Sequence, residues 1–163
     1  MKQRQIILNK EDINNKINRI ACSIIEDYHS ETSITLIGFE QNGYIIAKKL
    51  KKIIAHQNNI NISIHKIKKD TNNNFTIEPV LKSDNMKNIF LVDDVLKSGR
   101  TIIHGVKKIL THDIESLKTI ILVNRNHNKF PIGVDYVGLN LSTTLKDHIT
   151  VIMKKNKEIA YLT

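Results

Sequence analysis

An α/β fold built on a mostly parallel, twisted sheet flanked by helices is what this chain predicts, and three observations carry that prediction. β-rich apolar runs alternate with segments whose apolar residues recur at helical spacing. Two of the runs, IFLV at 89–92 and LKTIILV at 117–123, are apolar at nearly every position, as strands covered on both faces are. The stretch HITVIMKKNKEIAYL reads instead as a C-terminal hairpin, with Lys154 to Lys157 at its turn.

In chain order, a first helix covers Asn9 to Tyr28, where apolar residues at 13, 17, 20, 21, 24, 25 and 28 form one stripe. SITLIGF at 33–39 is a short strand, EQNG breaks it, and Tyr44 to Ile54 returns to helical spacing. Ile60, Ile62 and Ile64 alternate as a strand does. After Lys66 the pattern dissolves into KKDTNNN, so residues 66–87 are expected to be a flexible loop over the site. Phe75 to Val80 would be one arm of a returning hairpin within it. Ile89 to Val92 is a buried strand, and Thr101 to Leu110 a helix with Ile102, Ile103, Val106, Ile109 and Leu110 inward. Leu117 to Val123 and Asp135 to Leu141 supply two more strands around a loop that contains Pro131. Such sheets hold ligands at the carboxyl ends of their strands, which sets EQNG, DDVLKSGRT and VNRNHN side by side at one rim.

With 163 residues, no internal repeat and no linker-like stretch, the chain is expected to form a single domain over 1–163. Cys22 is the sole cysteine, which excludes an intrachain disulfide and points to a reducing compartment; Ala21, Ile24 and Ile25 around it mark it as a core thiol. No apolar run reaches membrane-spanning length, and MKQRQIILNKED holds no signal-peptide core, so a cytoplasmic protein without membrane contact is expected. Lys and Arg number 25 against 16 acids, a net charge of +9 that invites a polyanionic partner. That excess is spread along a chain rich in Ile, Lys and Asn, however, whereas a nucleic-acid footprint clusters.

The chemistry concentrates in NIFLVDDVLKSGRTII at 88–103. Adjacent carboxylates repel, and an ordinary strand-to-helix turn needs at most one of them. The Ser98-Gly99-Arg100-Thr101 turn delivers backbone N–H groups at a helix start, whose positive dipole end favours an anion. The Ser98 and Thr101 hydroxyls add donors, so the turn can cradle a terminal phosphate. Asp93 and Asp94 are pure acceptors when ionised and match the two hydroxyl donors of a ribose diol, provided the strand ends where they stand. A hydrophobic run ending in Asp also suits a nucleotide-hydrolase strand, but no GxxxxGK[ST] loop accompanies it.

IFLVDDVLKSGRTI closely resembles the phosphoribosyl diphosphate (PRPP) motif of type I phosphoribosyltransferases. The likeness extends along nearly the whole chain to one branch, the bifunctional pyrimidine-operon attenuator and uracil phosphoribosyltransferase family. LIGFEQNGYIIAKKL and LVNRNHNKFPIGVDYVGLNLSTT carry it beyond the motif. The resemblance implies a Mg²⁺-dependent transferase that moves ribose 5-phosphate from PRPP to a nucleobase, uracil above others, with release of pyrophosphate. It implies that Asp93 and Asp94 hold the ribose hydroxyls, with Mg²⁺ carried nearby on PRPP. Lys97, Ser98, Gly99, Arg100 and Thr101 would hold the 5-phosphate, and Glu40, Gln41, Asn42 and Gly43 would face the pyrophosphate. Val123, Arg125, His127 and Tyr136 would line the base pocket.

Lys97 stands where purine-salvaging relatives carry an acid, which fits a pyrimidine-type branch. Three readings stay open: the transferase, an RNA-binding regulator of pyrimidine genes, and a non-catalytic sensor of PRPP or nucleotides. RNA is the disfavoured partner, because Asn128, Gly133, Leu139 and Cys22 stand where the RNA-binding members carry cations or a histidine. Relatives self-associate, so a homodimer or larger homo-oligomer is expected.

Overall fold

A computed structural model of the protein describes residues 4–72, 74–142 and 147–163. Asn73 of the expected loop, and the Thr143-Thr144 end of the LVNRNHNKFPIGVDYVGLNLSTT stretch, lie outside the described residues. The elements in order are β1 (Gln5–Leu8), α1 (Lys10–Asp27), β2 (Ser33–Phe39), α2 (Asn42–Gln57), β3 (Asn61–Lys69) and β4 (Phe75–Glu78). There follow β5 (Ile89–Leu96), α3 (Arg100–Ile109), β6 (Leu117–Asn124), β7 (Tyr136–Asn140), β8 (Ile149–Lys154) and β9 (Lys157–Leu162). Among them, β4-β3-β2-β5-β6-β7 make one six-stranded sheet, parallel except for β4, and β1-β9-β8 make a small antiparallel sheet. The predicted class is therefore observed, with the C-terminal hairpin as β8–β9.

Alternation along the central strands builds two cores. Leu36, Phe90 and Ile120 face one way, against Ile17 and Ile20 of α1 and Leu50 and Ile54 of α2. Their neighbours Ile37, Leu91 and Ile121 face the other way, against Ile102 and Ile109 of α3. Each such fully buried side chain contributes roughly 1.5–3 kcal/mol relative to exposure. A helix cap contributes about 1 kcal/mol, so packing decides where α1 lies. Its start is nonetheless well marked: Asn9 Oδ1 accepts the Asp12 N–H, and Asp12 Oδ2 accepts the Asn9 N–H, both at 2.9 Å. Arg19 donates from α1 to the carbonyls of Val137 (2.7 Å) and Gly138 (2.8 Å), which blunts the edge strand β7 against further pairing.

Several expectations need correction. Cys22 is exposed, not a core thiol, because it sits on the outward side of α1 while Ala21 and Ile24 take the inward positions. Leu110 is exposed as well, one residue past the end of α3. β1 was unforeseen; it is a short strand held by β9 from the far end of the chain. The pattern does not dissolve after Lys66. β3 runs on to Lys69 with Ile67 buried between outward lysines, and β4 returns antiparallel beside it, Ile67 opposite Ile77. The tip is organised by Asp70, whose Oδ1 accepts the N–H groups of Asn72 and Asn74 at 2.8 Å each. None of the helices described is long and apolar enough to cross a membrane.

Candidate active site

The carboxyl ends of β2, β5 and β6 meet at one rim, as the parallel order requires. β5 does not stop at Val92. Its pairing with β6 continues through Val95 opposite Val123 and Leu96 opposite Asn124. Asp93 and Asp94 are therefore inside a strand, but one whose alternation is interrupted there: Val92 and Val95, three apart, pack in the same core, and the two carboxyls stand close enough to interact. Asp93 follows Leu91 toward the α3 side and lines a cleft of about 770 Å³ with Glu40, Gln41, Lys69, Arg100 and His104 among its walls. Asp94 follows Val92 toward α2, where its Oδ2 accepts Asn42 Nδ2 at 2.7 Å. Both acids still border a smaller pocket of about 240 Å³ formed with residues 95–102.

The local hydrogen bonds explain how the pair is tolerated. Asp93 Oδ1 accepts the Asp94 N–H at 2.9 Å, and Asp94 Oδ1 accepts the Val95 N–H at 2.8 Å. Burial, followed by the Asp94 charge, still pushes the Asp93 carboxyl well above the usual carboxylate range. The Asp94 N–H and the Lys97 ammonium act against that rise without cancelling it.

The turn 97–101 takes the shape the sequence suggested. Gly99 has φ +86°, and α3 begins directly after it at Arg100, one residue earlier than expected. A Cβ at Gly99 would stand 2.7 Å from Ile132 Cγ2. The first N–H groups of α3 have no intrahelical acceptor, and residues 97–102 line the small pocket. Ser98 Oγ accepts the Arg100 N–H at 3.4 Å, while the Ser98 carbonyl accepts the N–H groups of Lys129 (2.9 Å) and Phe130 (3.2 Å). The 129–132 segment thus braces the turn from outside, and Arg100 lies 5.8 Å from the Phe130 ring centre.

Glu40 and Gln41 border the large cleft, and the Glu40–Gln41 peptide is cis. Lys66 lies 3.4 Å from Glu40 Oε1 and 6.0 Å from the centre of the Tyr44 ring, and so supplies the counter-charge that a carboxylate at this rim requires. Lys68 pairs with Glu78 at 2.8 Å, and Lys68 and Lys69 line the cleft from the β3–β4 hairpin. Asn42 and Gly43 belong to the first turn of α2, which starts two residues earlier than expected. Val123 is fully buried in the core and Arg125 is buried at the rim, where its N–H reaches the Leu96 carbonyl at 3.3 Å. His127 stands in the same loop, beyond Asn126.

Tyr136 is not brought to this rim. It opens β7 opposite Ile120, packs against Phe90 and donates its hydroxyl to Asp27 Oδ2 at 2.6 Å. Burial and that hydrogen bond both raise its phenol pKa. What stands at the rim end of β7 is Asn140, whose Oδ1 accepts Asn124 Nδ2 at 3.0 Å; the same amide donates to Asn126 Oδ1 at 2.8 Å. This asparagine network was missed, although N-R-N and G-L-N at the ends of two adjacent strands were its visible signal. We expect Tyr136→Phe to lower the melting temperature by a few degrees, the cost of one hydrogen bond of about 1 kcal/mol. The Michaelis constant for a base should stay within twofold, and a large rise would return Tyr136 to the pocket.

The carboxylates are hard oxygen donors suited to Mg²⁺. Among the described residues no three His, Cys, Asp or Glu side chains cluster as a metal cage. Asp93 and Asp94 could supply such donors at the pocket that both border.

A parallel sheet whose central strand carries paired acids into a glycine-led turn at a helix start defines a phosphoribosyltransferase. Residues 3–153 match the family described as the phosphoribosyl transferase domain, and the chain belongs to that family. Within it, the chain is similar to the bifunctional protein PyrR of Streptococcus sanguinis, 32% identical over 94% of this chain and 92% of that protein. The bifunctional protein PyrR of Bacillus subtilis is 29% identical over 93% of this chain and 91% of its own length. Among solved structures, hypoxanthine phosphoribosyltransferase of Trypanosoma cruzi superposes with a TM-score of 0.73 at 19% identity, covering 84% of this chain and 81% of that one. A hypoxanthine-guanine phosphoribosyltransferase of Bacillus anthracis gives 0.71 at 20% identity, covering 86% and 84%. These last two likenesses concern the fold.

Proposed function

We propose that the protein binds PRPP at this rim and transfers its ribose 5-phosphate to a nucleobase, uracil above others, with release of pyrophosphate. The observation that carries the reading is the Gly99-led turn at the start of α3, opening beside Asp93 into a cleft walled by lysines and Arg100. The 5-phosphate would take the N–H groups of the first α3 turn with the Ser98 and Thr101 hydroxyls. Asp93 would accept a ribose hydroxyl. A base nitrogen forms its bond to C1 as the C1–O bond breaks, the electron pair leaves with the diphosphate, and the nitrogen loses its proton. Lys68, Lys69 and Arg100 face the charge gathering on that leaving group, and the β3–β4 hairpin shields it from water. Mg²⁺, bound to the diphosphate, would neutralise part of the same charge.

Glu40 favours a second reading, a non-catalytic sensor, since a carboxylate beside a diphosphate opposes its binding. One experiment separates the two. Protein with Mg²⁺, PRPP and a panel of free bases should release pyrophosphate, with uracil first. Binding of PRPP by calorimetry without release across the panel would establish the sensor instead. Failure to bind PRPP at all would remove both.

A further inference from the structure

We propose that Asn42 is a positioning residue for the acid pair, fixing the Asp94 carboxylate between α2 and the small sheet. The inference rests on the PRPP-site reading above, and it assigns Asn42 a task other than contact with the diphosphate.

A primary amide carries two N–H donors and one acceptor oxygen. Both donors of Asn42 are engaged: Nδ2 lies 2.7 Å from Asp94 Oδ2 and 2.9 Å from the carbonyl oxygen of Val151 in β8. Both partners are pure acceptors, which fixes which end of the amide faces them. Only the amide oxygen is left over, and an oxygen acceptor repels a diphosphate. Asn42 therefore cannot serve that ligand without giving up one of its two bonds.

What those bonds do follows from their span. They join the first turn of α2 to residues 52 positions away in β5 and 109 positions away in β8. The Asp94 carboxylate is held by Asn42 at one oxygen and by the Val95 N–H at the other, so its plane is set on the α2 side of the sheet. Asp93 has no such clamp from α2 and lies along the large cleft, which Asp94 does not border. The tie sets the Asp94 carboxylate beside that of Asp93, with which it borders the small pocket. The tie also fixes the small sheet relative to the rim.

The test uses two probes that separate the subsites: ribose 5-phosphate, which has no diphosphate, and inorganic pyrophosphate with Mg²⁺. By calorimetry on the full chain, Asn42→Ala should weaken ribose 5-phosphate about tenfold and leave pyrophosphate within twofold. In an Asp94→Ala background, Asn42→Ala should change ribose 5-phosphate binding less than twofold, because the clamp has nothing left to position. Equal losses in both backgrounds, or a loss confined to pyrophosphate, would overturn the proposal. Should the parent protein bind neither probe, the PRPP reading fails, and the clamp is then judged without a ligand. The Asn42 side-chain amide should give a displaced, exchange-protected NMR resonance that moves on Asp94→Asn. An amide resonance of random-coil position, insensitive to that change, would overturn it.

Discussion

Asp93→Asn is expected to raise the melting temperature of the ligand-free protein at pH 7 while lowering kcat/KM for PRPP about a hundredfold, near the upper end for one charge-assisted hydrogen bond. The two effects share one cause. Burial and the Asp94 charge hold the Asp93 carboxyl above its ordinary range, so the folded protein binds a proton there more tightly than the unfolded chain does. Between about pH 4, where an unfolded Asp titrates, and the raised value, the folded state therefore carries more protons, and stability falls as pH rises through that window. Asparagine does not titrate, so the variant should show a flatter stability profile there and keep its gain above the window. Each kcal/mol relieved corresponds to about 2–4 °C in a chain of this size. A melting temperature that drops, or a profile unchanged in shape, would mean that the acid is structural. The sequence-based expectation had the strand end at the two acids; β5 continues past them to Leu96.

Gly99→Val should cost more than any other single change at the rim. Its φ of +86° is strained for every residue with a Cβ by roughly 1–2 kcal/mol and worse for a branched one, and the new Cβ would meet Ile132 Cγ2. We expect the melting temperature to fall by about 4–8 °C and PRPP binding to fall by at least about a hundredfold, because a turn displaced by an ångström loses several charge-assisted bonds together. A milder pair isolates the cause. Gly99→Ala with Ile132→Ala removes the collision but keeps the strained φ, and should recover part of the stability and little of the binding. If Gly99→Ala alone binds PRPP as the parent does, the phosphate does not sit in this turn.

Local pattern made much of this molecule readable. The apolar runs of β5 and β6 are continuous because α1 and α2 cover one face and α3 the other, and the C-terminal hairpin alternates because it belongs to a separate small sheet. The tight turn at 97–101 was legible because a glycine at a strand-to-helix boundary marks a left-handed backbone position. What escaped depends on partners remote in the chain. Gln5–Leu8 is too short to signal a strand without β9 beside it. Lys66-Ile67-Lys68 does have a period of two, but it is hidden at the edge of a polar tract and made strand-like by β4. Tyr136 lies at the end of β7 away from the rim, a placement that only the register with Ile120 reveals. Asn42 looked like a loop residue because nothing local foretells a bond to β5 or β8.

The Ser98 carbonyl, claimed by the Lys129 and Phe130 amides, has a consequence for anyone who would transplant this turn. LKSGRT is half of a two-part casting; grafted alone onto a foreign strand it would lack the buttress that arrives thirty residues later. A recipient scaffold must import the NKFPI segment too, and drift in that distant loop will shift the turn without altering a single motif residue.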